Sequence, residues 1–207
     1  MNQTLRALAA LLSYPDEALR AALPEIRPFV PKELFALMKE LEGQDLLVSQ
    51  ERYVALFDRS RALSLHLFEH VHGESRDRGQ AMVDLQAMYA ARGLAVEAHE
   101  LPDYLPGFLE FLSVLPRKEA EGLLKEVAHV LRSLGDRLAE RGSRYAGVFA
   151  ALLGLANEPG LTRELVDRLD LEEDLAALEK TWMDPEVTFG PTPAAAPLRF
   201  YKKGAQA

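Results

Sequence analysis

Residues His66 to His70, His-Leu-Phe-Glu-His, set two imidazoles four positions apart with a carboxylate between them. On a helix this spacing brings both rings to one face. H-x-x-E-H is a pattern in which two histidines hold zinc while the glutamate activates water for hydrolysis. A small helical zinc hydrolase is therefore one reading of the motif. It needs a third protein ligand, for which Glu100 and His129 are available, and a substrate cleft with a sheet edge. The other reading is structural: His66 and His70 sit half-buried and hydrogen-bond to carboxylates or backbone.

The motif belongs to a longer polar segment, LHLFEHVHGESRDRGQAM from Leu65 to Met82, which holds three of the five histidines (His66, His70, His72). Glu69, Glu74 and the run Arg76, Asp77, Arg78 lie around one glycine. Imidazole responds to its neighbours in both charge and tautomer, so such a cluster positions or binds something. The arginine run has a plainer role open to it, capping and pairing at the start of a helix with Asp77 near the positive end. A second group, Glu100, Pro102, Asp103 and Tyr104, either opens the next helix or joins the first cluster in a site. The acids Asp167, Asp170, Glu172, Glu173 and Asp174 read as a solvated face.

Composition narrows the possible functions. The chain has 207 residues, 48% of them hydrophobic, enough to bury a substantial core. A net charge of −8 and a pI near 5.2 have the wrong sign for gripping a phosphate backbone, so nucleic acid is not an expected partner, whereas a basic peptide would be attracted. With no cysteine there is no disulfide, thiolate metal site or cysteine nucleophile. No Gly-rich phosphate loop is present, and no apolar run approaches the roughly 20 residues of a membrane span. The expectation is a cytoplasmic protein without a membrane span, a monomer or weak dimer, with no cofactor or metal of its own.

The elements that must position these residues read as helices. Leucine outnumbers isoleucine, valine and threonine together. Leu5, Leu8 and Leu12 recur at helical spacing before Tyr14-Pro15, so the N-terminal apolar stretch reads as a helix and not as a signal peptide. Further stripes are Leu34, Leu37, Met38 and Leu41; Tyr53, Leu56 and Phe57; and Ala81, Met82, Leu85, Met88 and Tyr89, the last closed by Gly93. Leu105, Phe108, Leu109 and Leu112 make a short helix, and the longest is expected from about Lys118 to Arg141. Another carries Tyr145, Val148, Phe149 and Leu152, and a final pair spans roughly Thr162 to Trp182. No strand-like alternation competes. The prediction is an all-α, single-domain helical bundle over 1–183, followed by an extended Pro/Ala-rich tail over 184–207.

Taken together, YVALF (Tyr53 to Phe57), SLHLFEHVHGESRDRGQAM (Ser64 to Met82) and LPDYLPGFLEFLS (Leu101 to Ser113) resemble the delta-subunit, or NarJ, family of respiratory nitrate reductase assembly chaperones. The likeness extends over nearly the whole chain and reaches the wider group of TorD and DmsD types. Their E-x-P-D-H motif corresponds to Glu100-Leu101-Pro102-Asp103-Tyr104, with Tyr104 in place of histidine. Any role of that histidine does not transfer. The resemblance implies a helical protein that is not an enzyme. Such a protein binds the N-terminal segment of the apo catalytic subunit and keeps it competent for molybdenum cofactor insertion before membrane attachment. In such a protein Tyr53, Phe57, Tyr104 and Phe108 would offer apolar contact to a client helix. Glu69, Asp77, Glu100 and Asp103 would pair with its basic residues, and His66, His70, His72, Arg76 and Pro102 would complete the candidate surface.

Overall fold

The computed structural model describes residues 1–72, 76–96 and 100–163. The chain divides into two units, Met1–Arg168 and Leu169–Ala207, and all described residues belong to the first. Beyond Thr162 and Arg163, which form a bend, the helices expected as far as Trp182 and the tail from Asp184 lie outside the described residues, as does the acidic patch from Asp167.

Among the described residues there are ten α-helices and no strand beyond one isolated backbone bridge. The first, α1 (Asn2–Leu12), is the central element, with Leu5, Leu8, Leu11 and Leu12 all fully buried. Tyr14-Pro15 stops it where expected, and Asp16 then caps α2 (Glu17–Ile26) by accepting the Leu19 N–H at 2.7 Å. That bond satisfies one of the N–H groups a helix start leaves orphaned. After two 3₁₀ turns come α3 (Phe35–Gly43) and α4 (Leu46–Tyr53), the latter capped by Asp45. A π-type turn over Val54–Asp58 extends α4 and turns Leu56 and Phe57 into the core.

Next follow α5 (Leu67–Val71), α6 (Arg76–Ala90), α7 (Leu105–Val114), α8 (Arg117–Glu126), α9 (Ala128–Glu140) and α10 (Ala146–Leu155). The single long helix expected from Lys118 to Arg141 is instead two. Val127, at φ −95° and ψ 3°, leaves helical geometry between α8 and α9. Periodicity misses such a break because the apolar stripe runs on across it, through Leu124, Ala128 and Leu131. Gly93 does close α6: at φ 72° it lets the Leu94 N–H reach Tyr89 O at 3.1 Å and its own N–H reach Ala90 O at 2.9 Å, a Schellman cap. Packing is led by two pairings, α1 on α7 and α10 on α9. Each fully buried leucine in these layers contributes about 1.5–3 kcal/mol by leaving water.

Candidate functional site

The two polar clusters found in the sequence meet in space. The backbone of Leu65–Leu67 crosses that of Asp103–Leu105 antiparallel: Leu67 N–H donates to Asp103 O at 3.0 Å, and Leu105 N–H to Leu65 O at 2.8 Å. Asp103 fixes the crossing. Its side chain is 0% exposed; Oδ2 accepts the Phe68 N–H at 3.0 Å, and Oδ1 lies 3.3 Å from His66 Nδ1. A buried carboxylate is tolerable only when its lone pairs are occupied, and here backbone and imidazole occupy them. The hydrogen bond to Asp103 favours the imidazolium of His66. It outweighs the opposing effect of burial, so the ring's pKa stands above the ordinary histidine value.

The H-x-x-E-H pattern therefore does not assemble as a metal pair. His66 lies before α5 with extended backbone (ψ 107°) and faces Asp103. His70 sits inside α5, and its Nε2–H donates to the Ser64 carbonyl at 2.8 Å. Glu69 turns to Arg78, 3.5 Å away. The three residues point to three partners, and His129, an offered third ligand, is exposed on α9. No three His, Cys, Asp or Glu side chains converge as a metal site among the described residues. The half-buried, hydrogen-bonded reading of His66 and His70 is the one the geometry matches.

Aromatic residues back the crossing. The Tyr53 hydroxyl donates to Leu12 O at 2.7 Å, and with its one proton spent there, Tyr104 must be the donor in the 3.0 Å contact between the two hydroxyls. Burial pushes both phenols above their ordinary range. Tyr104 also lies 5.4 Å from the His66 ring, while the Phe57 ring packs 4.9 Å from Tyr53 and 5.2 Å from Tyr145. The Tyr89 hydroxyl donates to Pro102 O at 2.7 Å, which holds the 101–103 turn from the other side.

Several candidate residues have other work than the sequence suggested. Tyr53, Phe57 and Phe108 are core side chains, so the apolar client contact expected of them is not available in this conformation. Asp103 is likewise enclosed and cannot pair with a client cation. Pro102 is buried and acts through its carbonyl. Tyr104, His66, Glu69, His70 and His72 are half-buried at the rim, with His72 set edge-on to Phe68 at 5.5 Å. Asp77 and Glu100 are exposed. Arg76 opens α6, and its side chain lies outside the described residues. Sequence reasoning missed Ser64, whose hydroxyl accepts the His66 N–H at 3.2 Å and whose carbonyl holds His70. A serine two residues before the turn was a usable signal. Tyr89 was missed as a partner of Pro102 because nothing local links positions 13 apart.

Comparison with known proteins gives this arrangement its context. Residues 13–151 match the family model described as nitrate reductase delta subunit. The chain is 44% identical over 195 residues to the Escherichia coli K12 nitrate reductase molybdenum cofactor assembly chaperone NarJ, covering 88% of this chain and 83% of that one. It is 30% identical over 175 residues to a Bacillus subtilis protein assigned the same name, covering 79% and 93%. A solved structure from Archaeoglobus fulgidus, assigned as a redox enzyme maturation protein, superposes with a TM-score of 0.60 at 23% identity, over 76% of this chain and 94% of that one. The last likeness speaks to the fold alone. On the family match and the extent of these identities, the chain belongs to the nitrate reductase delta subunit family.

Proposed function

We propose that this chain is a dedicated assembly chaperone for a respiratory nitrate reductase. It binds the N-terminal segment of the apo catalytic subunit and keeps that subunit competent to receive its molybdenum cofactor before membrane attachment, in the cytoplasm. The observation that carries the proposal is identity of 44% to NarJ sustained across 83% of that protein's length. The relatives that this chain matches over most of their own length are named as assembly chaperones and not as catalysts, and the chain is not an enzyme. No helix among the described residues is long and apolar enough to cross a membrane.

The physical chemistry is compatible with this role. A net charge of −8 attracts a basic peptide and repels polyanions. The rim around the crossing offers half-buried rings beside exposed carboxylates, which suits a peptide with apolar and basic faces. Calorimetry with the N-terminal peptide of the cognate catalytic subunit tests the proposal. Binding with a Kd in the micromolar range or tighter is expected, weakening as salt rises. Absence of heat at low salt, together with failure to recover the catalytic subunit from native cells, would reject it.

A further inference from the structure

We infer that the outer face of α6 is the docking surface for the client's basic amphipathic helix. This deepens the chaperone reading and rests on it for the identity of the client. The evidence begins with what α6 lacks. Over the 15 residues from Arg76 to Ala90, Leu85 and Tyr89 are the buried side chains among those described. Tyr89 anchors the C-terminal end through Phe111, with ring centroids 4.5 Å apart, and through the Pro102 carbonyl. Toward the N-terminal end the described tie is the ion pair of Arg78 with Glu69. Helices in proteins are stabilised chiefly by packing of an apolar face, and α6 has little of that packing.

What α6 exposes is apolar and acidic. Val83 is 57% and Met88 40% exposed, and around the helix Val71, Leu94 and Leu101 are exposed as well. Among the described residues, half of the large exposed hydrophobic side chains thus fall between positions 71 and 101. Scattered exposed apolar residues need no explanation, but a concentration in one segment marks an interaction surface. The charges fit one kind of partner. Arg78 is paired with Glu69 and Arg92 with Glu119, whereas Asp77, Asp84 and Glu100 are exposed and carry no ion pair among the described residues. Even with Arg76 counted as unpaired, the three acids leave the charge on and beside α6 negative. Asp77, Asp84 and Met88 share one stripe of α6 and Val83 lies on the flank of the exposed arc beyond Asp84, so the methionine suits the apolar side of a helix and the carboxylates beside it suit Lys or Arg. The ion pair of Arg78 with Glu69 ties the inner side of α6, the stripe of Leu85 and Tyr89, to α5 and leaves the opposite side open.

The test uses the full chain and two probes: the N-terminal peptide of the cognate catalytic subunit and a designed Leu/Lys amphipathic helix of similar length. The double variant Val83→Glu, Met88→Glu changes exposed positions only and is expected to leave the thermal midpoint within about 2 °C of wild type. Its affinity for the client peptide is expected to fall at least about tenfold. A control variant, Leu47→Glu with Val48→Glu, alters the exposed apolar pair on α4 and is expected to keep affinity within about twofold. Hydrogen exchange should show protection over 76–90 on peptide binding. Unchanged affinity in the α6 variant, or loss in the α4 control, overturns the inference. If the nitrate reductase peptide fails to bind while the designed helix binds and protects α6, the client reading falls and the docking face stands. If neither protects α6, the docking face falls. A concentration-dependent dimer abolished by the α6 variant would give the face to a second copy of this chain and overturn the peptide assignment.

Discussion

Helices α6 and α9 are similar in length and both read as helical in the sequence, α9 as part of one longer helix, yet the molecule treats them in opposite ways. In α9 seven residues are buried, from Ala128 to Ala139, and α10 packs along it. Its outer face is also engaged. Arg132, Asp136 and Glu140, four residues apart on one stripe, grip the chain returning after α10. Arg132 donates to Pro159 O at 2.9 Å, and Asp136 accepts the Thr162 N–H, the Thr162 hydroxyl and the Arg163 N–H. Glu140 pairs with Arg163 at 3.1 Å. By contrast, α6 has an anchored end and an open face. The difference teaches that a helix held on both sides serves as scaffold, whereas one held along an edge keeps apolar and charged groups free for a partner.

Core truncation gives the largest expected contrast. Leu134→Ala in α9 removes a fully buried side chain between α9 and its neighbours and is expected to cost about 2–5 kcal/mol. Leu85→Ala in α6 should lie at or below the lower end of that range, because fewer atoms surround the cavity it leaves. Urea unfolding of both variants measures the gap. Equal losses would break the comparison between the two helices.

A change of sign sharpens it. At Gly135 in α9 an added Cβ would come within 2.9 Å of the Phe149 Cβ and press on the Leu161 methyl groups. Gly135→Ala should therefore destabilise by about 1–2 kcal/mol, the overpacking cost exceeding the gain in helix propensity. Nothing lies within 4 Å of a Cβ at Gly79, an exposed interior position of α6. Gly79→Ala should stabilise by about 0.5–1 kcal/mol, since alanine loses less backbone freedom. Thermal midpoints moving in the same direction for both variants would contradict this account of how closely the two helices are packed.

These contrasts also mark how far the sequence could be read. Helical class followed from residue usage and spacing, and Gly93 and Tyr14-Pro15 marked boundaries that the structure keeps. Each of those signals is local. Whether a stripe is covered is not local: Ala81, Met82, Leu85, Met88 and Tyr89 form one face by spacing, but Met88 is exposed while Leu85 and Tyr89 are buried. The candidate site divides the same way. The histidine and Pro-Asp clusters stood out by composition, yet the antiparallel crossing that joins them depends on Asp103 reaching a backbone N–H 35 positions away. By type and spacing Asp103 reads as part of a helix start or of a site, and the resemblance makes it a carboxylate for a client's basic residues. Only burial reassigns it.

A smaller effect is expected at the strap over α9. Burial opposes ionisation of Asp136, but hydrogen bonds from Thr162 and Arg163 and the nearby Arg132 prevail, so its carboxyl titrates below the ordinary range. A depressed carboxylate contributes stability that is present above the unfolded pKa and lost as pH falls through the folded one. Asp136→Asn removes this acid-range dependence and weakens the hold on 158–163. At neutral pH, amide exchange there should quicken by about fivefold, on the order of 1 kcal/mol of local opening, with the core amides unaffected. Loss of core protection as well would mean that the strap is part of the scaffold and not a covering over it.

The smallest effect expected is at the crossing, where the sign runs the other way. His66 has its pKa raised, first by the hydrogen bond to buried Asp103. Folding therefore favours the protonated ring. The contribution is fully present below the unfolded histidine value, about 6.5, and declines as pH rises through the folded value. The His66→Gln variant keeps a polar side chain but cannot titrate, so the stability difference between wild type and variant should be largest near pH 6, shrink as pH rises through the folded value, and level off above it. Asp103→Asn offers a second check: an amide oxygen can still accept the Phe68 N–H, but the charge partner of the ring is gone, and the pH-dependent part of the difference should vanish. Urea midpoints for the three proteins at several pH values measure this. A difference between wild type and His66→Gln that does not change with pH would mean that the 3.3 Å contact is a neutral hydrogen bond. The crossing would then owe its geometry to the backbone pairing and to the Phe68 N–H, with no charge stored at the edge where α5 meets α6.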